Sequence, residues 1–393
     1  MKRHLAYLSP LPPAQTGVAD YSAEFLPYLA AEADLTLFTE APAGVSPTLQ
    51  RQFPIYDLAQ YPAMRWQFDA ALYHIGNNHH HEAIYQLFCQ YPGIAVIHDY
   101  FLHPFLGARS QRRGGYSLYR RELGYSYGLE GIQLGWDVEN GGQPIPHTLV
   151  PLNERLLDLS LGVIVHSQFA ADLMRERGGG RPVQAIPHFL KLYPAVSQRD
   201  KLPWPADTII FATVGYLPLT KNVHPTLRVL ARLRQSHPNV AYLFVGRVNE
   251  FEQEHLTAWV KEFGLEGRVH QVGYLPDLAD FLNWVATADV IMGLRYPTMG
   301  ETSGTVLRAF GLSRPVIVSD HGWYGELPDT ICSKVPPGDE DGLLEMMARL
   351  ADSAALRQRI GQAARHYAET VLAPAGIARA YAQFVERVIC QEN

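Results

Sequence analysis

A chain of 393 residues is too long for one ordinary core, and at roughly 150 residues per domain it has room for two or three domains. Hydrophobic residues make up 47% of the chain and charged residues 18%, a globular composition that excludes wholesale disorder. The formal net charge of −6 disfavours a general nucleic-acid-binding protein.

Short apolar runs alternate with longer helical patterns in the first half of the chain. Continuous apolar runs are typical of strands buried on both faces, as in a parallel sheet. Helices are expected between these runs, for example at Ala19–Ala31 and Glu82–Gln90. Such a βαβ series predicts a doubly wound sheet. The predicted strands are His4–Ser9, Asp34–Thr39, Ala70–Ile75, Ile94–His98, Leu161–His166 and Val183–Ile186.

A proline-rich segment, Lys191–Asp207, interrupts this series and is the best candidate for a linker. The series then restarts, with predicted strands at Ile209–Val214, Ala241–Val245, Val269–Val272, Val290–Leu294 and Pro315–Ser319. Predicted helices follow at Val223–Ser236, Glu250–Phe263, Leu278–Ala286, Gly304–Leu312, Gly338–Val371 and Pro374–Glu392. We therefore predict an α/β protein with two Rossmann-like, doubly wound domains, residues 1–190 and 205–373, facing a central cleft.

Two motifs of the first half follow predicted strands, where ligands of open α/β sheets bind. Gly17 lies in a Pro-rich loop before a helix, and its backbone can approach an anion or a sugar, although this motif alone favours an ordinary β–α turn. His98 and Asp99 end a buried strand. A histidine there can hydrogen-bond a sugar hydroxyl or a phosphate, or it can be a satisfied core residue.

Two motifs of the second half also follow strands. In VGYLPLTKN, the strand ends at Gly215 and Lys221 falls at the start of a helix, which suits a diphosphate, although the lysine could be merely solvated. In the second motif, a strand ends at Leu294, the following loop carries Glu301, and ETSG opens a helix with Thr302 or Ser303 as N-cap. Glu301 either binds sugar hydroxyls or belongs to the cap.

Two clusters invite a metal interpretation. The first is His79–His81 with His74, in which adjacent histidines are expected to alternate in direction and no Cys or carboxylate except Glu82 has a suitable spacing. The acidic run Asp339–Asp341 follows PPG and starts a helix, so N-capping is the favoured interpretation. No metal site is predicted.

Together the four motifs resemble the family 4 retaining glycosyltransferases of the GT-B fold, over essentially the whole chain. The opening PLPPAQTGVADYS, the strand ends VIHD and VIVHS, and the segment GETSG…RPVIVSDHG…ELPD resemble a bacterial branch of that family. Many members of this branch transfer hexoses, often mannose, to surface polysaccharides. The resemblance also implies that the C-terminal helix, in 374–393, packs back on the first domain.

The resemblance implies a role for each matching residue. Gly17 matches a loop near the donor phosphate, His98 a histidine near the donor sugar, and Lys221 the lysine that neutralises the diphosphate. Glu301 matches the first of two paired glutamates, and Ser303 and Gly304 match a backbone phosphate cradle. The family needs no metal, because lysine and a helix N-terminus replace the cation. The expected sites are catalytic His98, Lys221 and Glu301; donor-binding Gly17, Gly215, Tyr216, Lys221, Tyr274, Arg295, Thr302, Ser303, Gly304 and Arg308; and acceptor-binding Asp20, Tyr21, Asp99 and Tyr100.

The sequence departs from the family pattern at two positions. Tyr216 stands where an arginine is usual, and Arg308 replaces the second glutamate, with the spacing one residue shorter. Arginine has only donors, so it does not accept a hydrogen bond from a ribose hydroxyl. Our hypothesis is that Arg308 or Arg295 supplies positive charge near the diphosphate.

The expected function is that of a metal-independent, retaining hexosyltransferase without a cofactor. It would use a GDP- or UDP-sugar and a carbohydrate, lipid-linked or small-molecule acceptor, in polysaccharide or glycoconjugate synthesis. Two alternatives are a nucleotide-sugar epimerase and a non-catalytic scaffold that binds nucleotide sugar or polysaccharide. Three dispersed cysteines, no signal peptide and no run of roughly 18 apolar residues predict a cytoplasmic protein, with peripheral membrane contact left open.

Overall fold

The computed structural model describes residues 2–112, 115–177, 180–216 and 219–391. The chain forms two compact units. The first comprises Met1–Phe189, Met299–Thr302 and Pro374–Asn393, and the second comprises Leu190–Thr298 and Ser303–Ala373. The short segment Met299–Thr302 therefore groups with the first unit although its neighbours in sequence belong to the second.

The first unit is built on a seven-stranded parallel sheet with the order β3-β2-β1-β4-β5-β6-β7. Its central strands are buried apart from the first residues of β1 and β4, which is why their sequences are nearly continuous apolar runs. The strands are β1 His4–Leu8, β2 Asp34–Thr39, β3 Ile55–Asp57, β4 Ala70–Ile75, β5 Ile94–Ile97, β6 Gly162–Val165 and β7 Val183–Ala185.

Helices of the first unit pack on both faces of this sheet, so the core divides into two clusters. One helix, Tyr116–Glu139, bends at Gly128, whose φ of 60° and ψ of −139° are not helical. The helices are α1 Gly17–Glu32, α2 Pro47–Gln52, α3 Tyr61–Met64, α4 Glu82–Gln90, α5 His103–Arg112, α6 Tyr116–Glu139, α7 Glu154–Leu159 and α8 Gln168–Arg177.

The second unit has a six-stranded parallel sheet with the order β10-β9-β8-β11-β12-β13. The strand order reverses between β8 and β11, and ligands of open α/β sheets bind beyond the carboxyl ends at such a switch point. The strands are β8 Ile209–Val214, β9 Val240–Val245, β10 Val269–Gly273, β11 Val290–Gly293, β12 Val316–Ser319 and β13 Ser333–Val335.

Helices of the second unit are α9 Val223–Leu233, α10 Glu250–Glu262, α11 Leu278–Val285, α12 Gly304–Gly311, α13 Trp323–Glu326, α14 Glu340–Asp352 and α15 Ala354–Thr370. The prediction of one helical stretch over Gly338–Val371 is wrong at Ser353. That residue is extended, with φ −118° and ψ 97°, and its hydroxyl accepts a hydrogen bond from Leu356 N at 3.1 Å. Serine in this position caps a new helix rather than continuing the old one.

The last helix, α16 Pro374–Gln391, belongs to the first unit. It packs along α1, and the Tyr21 and Tyr381 hydroxyls are hydrogen-bonded at 2.9 Å.

The predicted linker, Lys191–Asp207, is packed on the second unit. Leu202 and the preceding Leu190 are buried in a core cluster of that unit. Val196 N also donates to Asn283 Oδ1 at 2.7 Å, so this segment is held on the second unit.

The prediction of two doubly wound, parallel-sheet domains is confirmed. The sequence pattern did not predict two strands, β3 and β13. Both are three-residue edge strands with mixed sequences, IYD and SKV. Both strands are short, and Asp57 and Lys334 interrupt their apolar character, so neither contains a continuous apolar run. Within the described ranges, no helix combines the length and apolar character that crossing a membrane requires.

Candidate functional site

The carboxyl end of β8 brings together three residues of the second unit. Gly215 follows this strand with φ +86°, a conformation that only glycine adopts without strain. A Cβ at Gly215 would lie 2.9 Å from Thr305 Cγ2 and 3.3 Å from Lys221 Nζ. The glycine thus lets the start of α12 and the lysine approach the end of β8.

Lys221 lies in a short 3₁₀ turn, Leu219–Lys221, directly before α9. Its Nζ donates to Val214 O at 2.5 Å, so the ammonium group is held at the end of β8. The loop after β11 is joined to this turn, because Tyr296 N donates to Thr220 O at 2.9 Å. Arg295 begins that loop, and its N donates to Ser319 Oγ at 3.0 Å. Two cationic residues therefore follow the adjacent strands β8 and β11.

The N-terminus of α12 adds backbone donors to this edge. Ser303 is the N-cap, and its hydroxyl accepts from Val306 N at 3.4 Å. The first N–H groups of a helix have no partner within the helix, and the helix dipole attracts anions to them. A Cβ at Gly304 would meet nothing within 4 Å, and Gly304 is exposed, so side chains do not crowd this residue. The arrangement suits a phosphate or diphosphate.

The remaining donor-site predictions have different surroundings. Tyr216 and Tyr274 are both more than half exposed, and Tyr216 Oη accepts from Asn249 Nδ2 at 3.1 Å. Arg308 Nη1 donates to Lys191 O at 3.3 Å, and the guanidinium lies 5.5 Å from the centre of the Tyr193 ring. Of the two arginines in our hypothesis, Arg295 follows a strand at the switch point, whereas Arg308 contacts the 191–193 segment.

In the first unit, His98 lies just after β5. Its Nε2 is 3.0 Å from His74 Nδ1, and its ring centre is 4.8 Å from that of His166. Burial and the neighbouring His166 and His74 hold the pKa of His98 well below its usual range. His98 is therefore neutral at physiological pH, able to donate from one nitrogen and accept at the other.

The partners of His98 form a histidine cluster, which comprises His74, His98, His166 and His188. These residues lie in or just after the adjacent strands β4, β5, β6 and β7. His166 Nδ1 donates to Ile186 O at 3.0 Å, and burial lowers the pKa of His166 to about 4. The ring of Tyr21 packs against all four histidines.

Two predicted acceptor residues are core residues in the structure. Tyr21 is 3% exposed with its hydroxyl bonded to Tyr381, and Tyr100 is 2% exposed within the first core cluster. Both rings are thus packed in the core of the first unit. Asp20 is exposed in the first turn of α1, and the Asp99 carboxylate accepts from Asn77 N at 2.9 Å. The adjoining Gly17 starts α1, is exposed, and has open space where a Cβ would stand.

The segment Met299–Thr302 carries Glu301 within the first unit. Phe101 N donates to Met299 O at 3.0 Å, and Thr302 Oγ1 donates to His166 O at 3.3 Å. Glu301 Oε2 accepts from Met299 N at 2.6 Å, so this carboxylate braces its own turn. The turn thereby contacts the strand end that carries His166.

Neither metal-like cluster resembles a coordination sphere. Asp339 is the N-cap of α14, and its Oδ1 accepts from Gly342 N at 2.9 Å, as the capping interpretation predicted. His81 is buried and its Nδ1 donates to His74 O at 2.9 Å. Across the described ranges, no group of three or more His, Cys, Asp and Glu side chains is arranged to hold a metal ion.

Sequence reasoning missed Thr305 and the grouping of His74, His166 and His188 around His98. Thr305 had a detectable signal, because it follows the ETSG motif at the start of a predicted helix. The histidines each stand near a strand end, but only the order of the strands shows that they meet.

Residues 196–367, most of the second unit, match the family model described as glycosyl transferases group 1. The lipopolysaccharide core biosynthesis glycosyltransferase LpsD of Rhizobium meliloti (strain 1021) is 27% identical over 227 residues. That match covers 56% of this chain and 61% of LpsD, so it spans less than two thirds of the relative.

Two solved structures match almost the whole chain. Sucrose-phosphate synthase from Thermosynechococcus elongatus has a TM-score of 0.69 at 18% identity and covers 99% of this chain and 100% of its own. Anabaena HepE in complex with UDP-glucose has a TM-score of 0.64 at 14% identity and covers 98% of this chain and 100% of its own. The chain thus has the GT-B fold of glycosyltransferases, and residues 196–367 carry the sequence pattern of glycosyl transferases group 1.

Proposed function

We propose that this protein is a retaining glycosyltransferase that moves a hexose from a nucleoside diphosphate sugar to an acceptor hydroxyl without a metal ion. The acceptor would be a growing surface polysaccharide, a lipid-linked glycan or a related glycoconjugate. The match to glycosyl transferases group 1 covers residues 196–367. The proposal assigns glycosyltransferase activity to the whole chain and adds a substrate class and a mechanism.

The observation that carries the proposal is the close approach of Gly215, Lys221 and Thr305 at the end of β8. An ammonium group and a helix N-terminus meet there, so positive electrostatic potential is concentrated where ligands of this sheet type bind. A diphosphate has the charge and the acceptor oxygens that suit both groups. These fixed charges would replace the cation that other diphosphate sites use.

The proposed reaction breaks the bond between the sugar's anomeric carbon and the diphosphate oxygen and forms a bond to the acceptor oxygen on the same face. The acceptor proton passes to an oxygen of the leaving diphosphate, so no protein nucleophile is required. Positive charge develops on the sugar and negative charge on the diphosphate. Lys221 and the first N–H groups of α12 would stabilise that negative charge as it develops.

Relatives guide the choice of donor and acceptor. HepE has been solved with UDP, with UDP and glucose, and with UDP-glucose, which makes UDP-glucose the first donor to test. LpsD is named for lipopolysaccharide core biosynthesis, which favours a glycolipid or lipid-linked acceptor. GDP-mannose is the second donor, because the resembling branch often transfers mannose.

The first experiment measures thermal stabilisation by a panel of nucleotides and nucleotide sugars. A ligand that binds only the folded state adds about 2.7 kcal/mol at a hundred times its dissociation constant. We expect UDP or GDP ligands to raise the melting temperature of the wild type and not of Lys221→Ala. Lys201→Ala, an exposed lysine of the same unit, is the matched control and should respond like the wild type.

Turnover tests the chemical proposal. With a responding donor, Lys221→Ala and Glu301→Ala should each lower turnover by at least about a hundredfold, the scale of losing one charge-stabilising group. Losses under threefold for both variants would refute the site assignment. Donor conversion without acceptor would identify an epimerase instead, and donor binding without transfer to any acceptor would identify a scaffold.

Peripheral membrane contact is a further part of the proposal. It is supported by large apolar side chains exposed on α6, including Leu129 at 85% and Trp136 at 46% exposure. A membrane-facing surface of this kind would give access to a lipid-linked acceptor. Sedimentation with vesicles tests it, and Leu129→Ser with Trp136→Ser should reduce the bound fraction.

A further inference from the structure

A cavity in the second unit lies at the amino ends of its strands, whereas the candidate donor site lies at their carboxyl ends. It measures about 360 Å³ and is lined by residues that include Arg199, Arg314, Arg357, Asp289, Thr287 and Thr208. Thr208 and Asp289 directly precede β8 and β11, and Arg314 comes just before β12. The cavity is therefore at the amino ends of three adjacent strands, and its volume is within the range of small-molecule sites.

Two of the three arginines are engaged by the protein. Arg199 donates to Thr208 O at 2.7 Å and to Asp289 Oδ2 at 2.5 Å, so its charge balances that of Asp289. Arg357 Nη1 donates to Leu350 O at 2.5 Å and to Ala351 O at 3.0 Å, near the end of α14. These bonds fix the positions of both guanidinium groups in the wall of the cavity.

Arg314 is different. Its Nε is buried without a hydrogen-bond partner, and its guanidinium forms no ion pair with any residue in the described ranges. Burial lowers the pKa of Arg314, the Asp289 carboxylate opposes that shift, and the nearby Arg199 adds to it, although a guanidinium remains charged. A buried guanidinium nitrogen without a hydrogen-bond partner is costly, because the protein does not replace the hydrogen bond to water that the nitrogen has lost.

The charges of the residues that line the cavity also favour an anionic ligand. Three arginines and two aspartates, Asp207 and Asp289, line the cavity, so one positive charge is in excess. Planar guanidinium groups match the oxygens of phosphates and carboxylates, and two of them can share one tetrahedral anion. A phosphate would satisfy Arg314 and would leave room in the cavity for a small organic group.

We propose that this cavity binds a phosphate group, free or as a small phosphomonoester, through Arg314 with Arg357 beside it. The site is distinct from the candidate donor site, since the six residues of β8 separate the two edges by about 20 Å. The proposal does not rest on the glycosyltransferase function. It assigns to the second unit an additional ligand site.

The test is calorimetric titration with inorganic phosphate in the Lys221→Ala background, so that phosphate held at the candidate donor site does not contribute. Adding Arg314→Gln should lower phosphate affinity at least tenfold. Adding Arg359→Gln, an exposed arginine on α15, should leave affinity unchanged. Parallel titration with glycerol 3-phosphate distinguishes the two sources, because tighter binding than phosphate indicates an esterified ligand.

The melting temperature of Arg314→Gln shows whether a loss of phosphate binding comes from misfolding of the variant. In phosphate-free buffer, Arg314→Gln should melt at the same temperature as its parent or higher, because a buried guanidinium nitrogen without a hydrogen-bond partner has been removed. Undiminished phosphate binding by Arg314→Gln would overturn the proposal. A lower melting temperature with no phosphate binding by the parent would also overturn it, since Arg314 would then pair with Asp289 in solution.

Discussion

At the scale of single residues, Gly215 determines whether the candidate donor site can form. Its φ of +86° favours glycine, and a Cβ would stand 2.9 Å from Thr305. Gly215→Ala should therefore shift the loop, displace Lys221 and lower donor affinity at least tenfold. Nucleotide titration measures this. Gly376→Ala, in a helix with open space around it, is the control and should bind normally. Equal affinity for the two variants would show that the loop tolerates a side chain.

His74 is the second residue with a testable role, because it contacts His98 rather than any proposed ligand position. It is completely buried, and its Nδ1 lies 3.0 Å from His98 Nε2. This contact would fix the orientation and tautomer of His98, since only one of the two nitrogens carries the shared hydrogen. We regard His74 as a positioning residue.

Replacing His74 by leucine removes that contact while largely filling its space. Turnover should fall about tenfold, the equivalent of about one hydrogen bond, with donor affinity little changed. His74→Asn should recover most of the loss, because its side chain can place a polar atom near the position of Nδ1. Steady-state kinetics at matched folding stability provide the measurement. Full activity of His74→Leu would show that His74 does not position His98 for turnover.

At the scale of helices and strands, the contacts at the start of α14 favour helix capping over metal binding by the acidic run Asp339–Asp341. Asp339 caps the helix, while Glu340 pairs with Arg228 and Asp341 with Arg232. Asp339→Ala should cost about 1 kcal/mol of stability, or about 2–4 °C for a unit of this size, and leave turnover unchanged. Asp339→Asn should be nearly neutral, because asparagine caps equally well. A loss of turnover in Asp339→Asn that manganese or magnesium modulates would revive the metal interpretation.

Elements also show what the sequence could and could not predict. Central strands such as β4 and β8 are predicted correctly, because burial on both faces requires continuous apolar runs. The edge strand β13 is not, since Lys334 interrupts it. Lys221 and Gly215 are close in sequence, so their proximity was predictable. The histidine cluster was not, because its members come from four strands whose spatial order no local pattern encodes.

At the scale of the whole molecule, α16 makes the last residues of the chain part of the first unit. Ile377, Tyr381, Phe384, Val385 and Val388 are all buried in its second core cluster. Burial of a large apolar side chain contributes about 1.5–3 kcal/mol, so five contribute on the order of 10 kcal/mol. That is comparable to the entire stability of a typical domain, about 5–15 kcal/mol.

Truncation after Ala373 should therefore unfold the first unit and leave the second folded, since Leu190–Thr298 and Ser303–Ala373 have their own sheet and core. Limited proteolysis should then digest residues before about position 189 and leave a resistant fragment of the second unit. Truncation after Gln391 keeps all of α16 and should resist proteolysis like the full chain. If the Ala373 truncation were equally resistant throughout, the apolar face of α16 would contribute far less than its burial implies, and α1 would be sufficient to close that core.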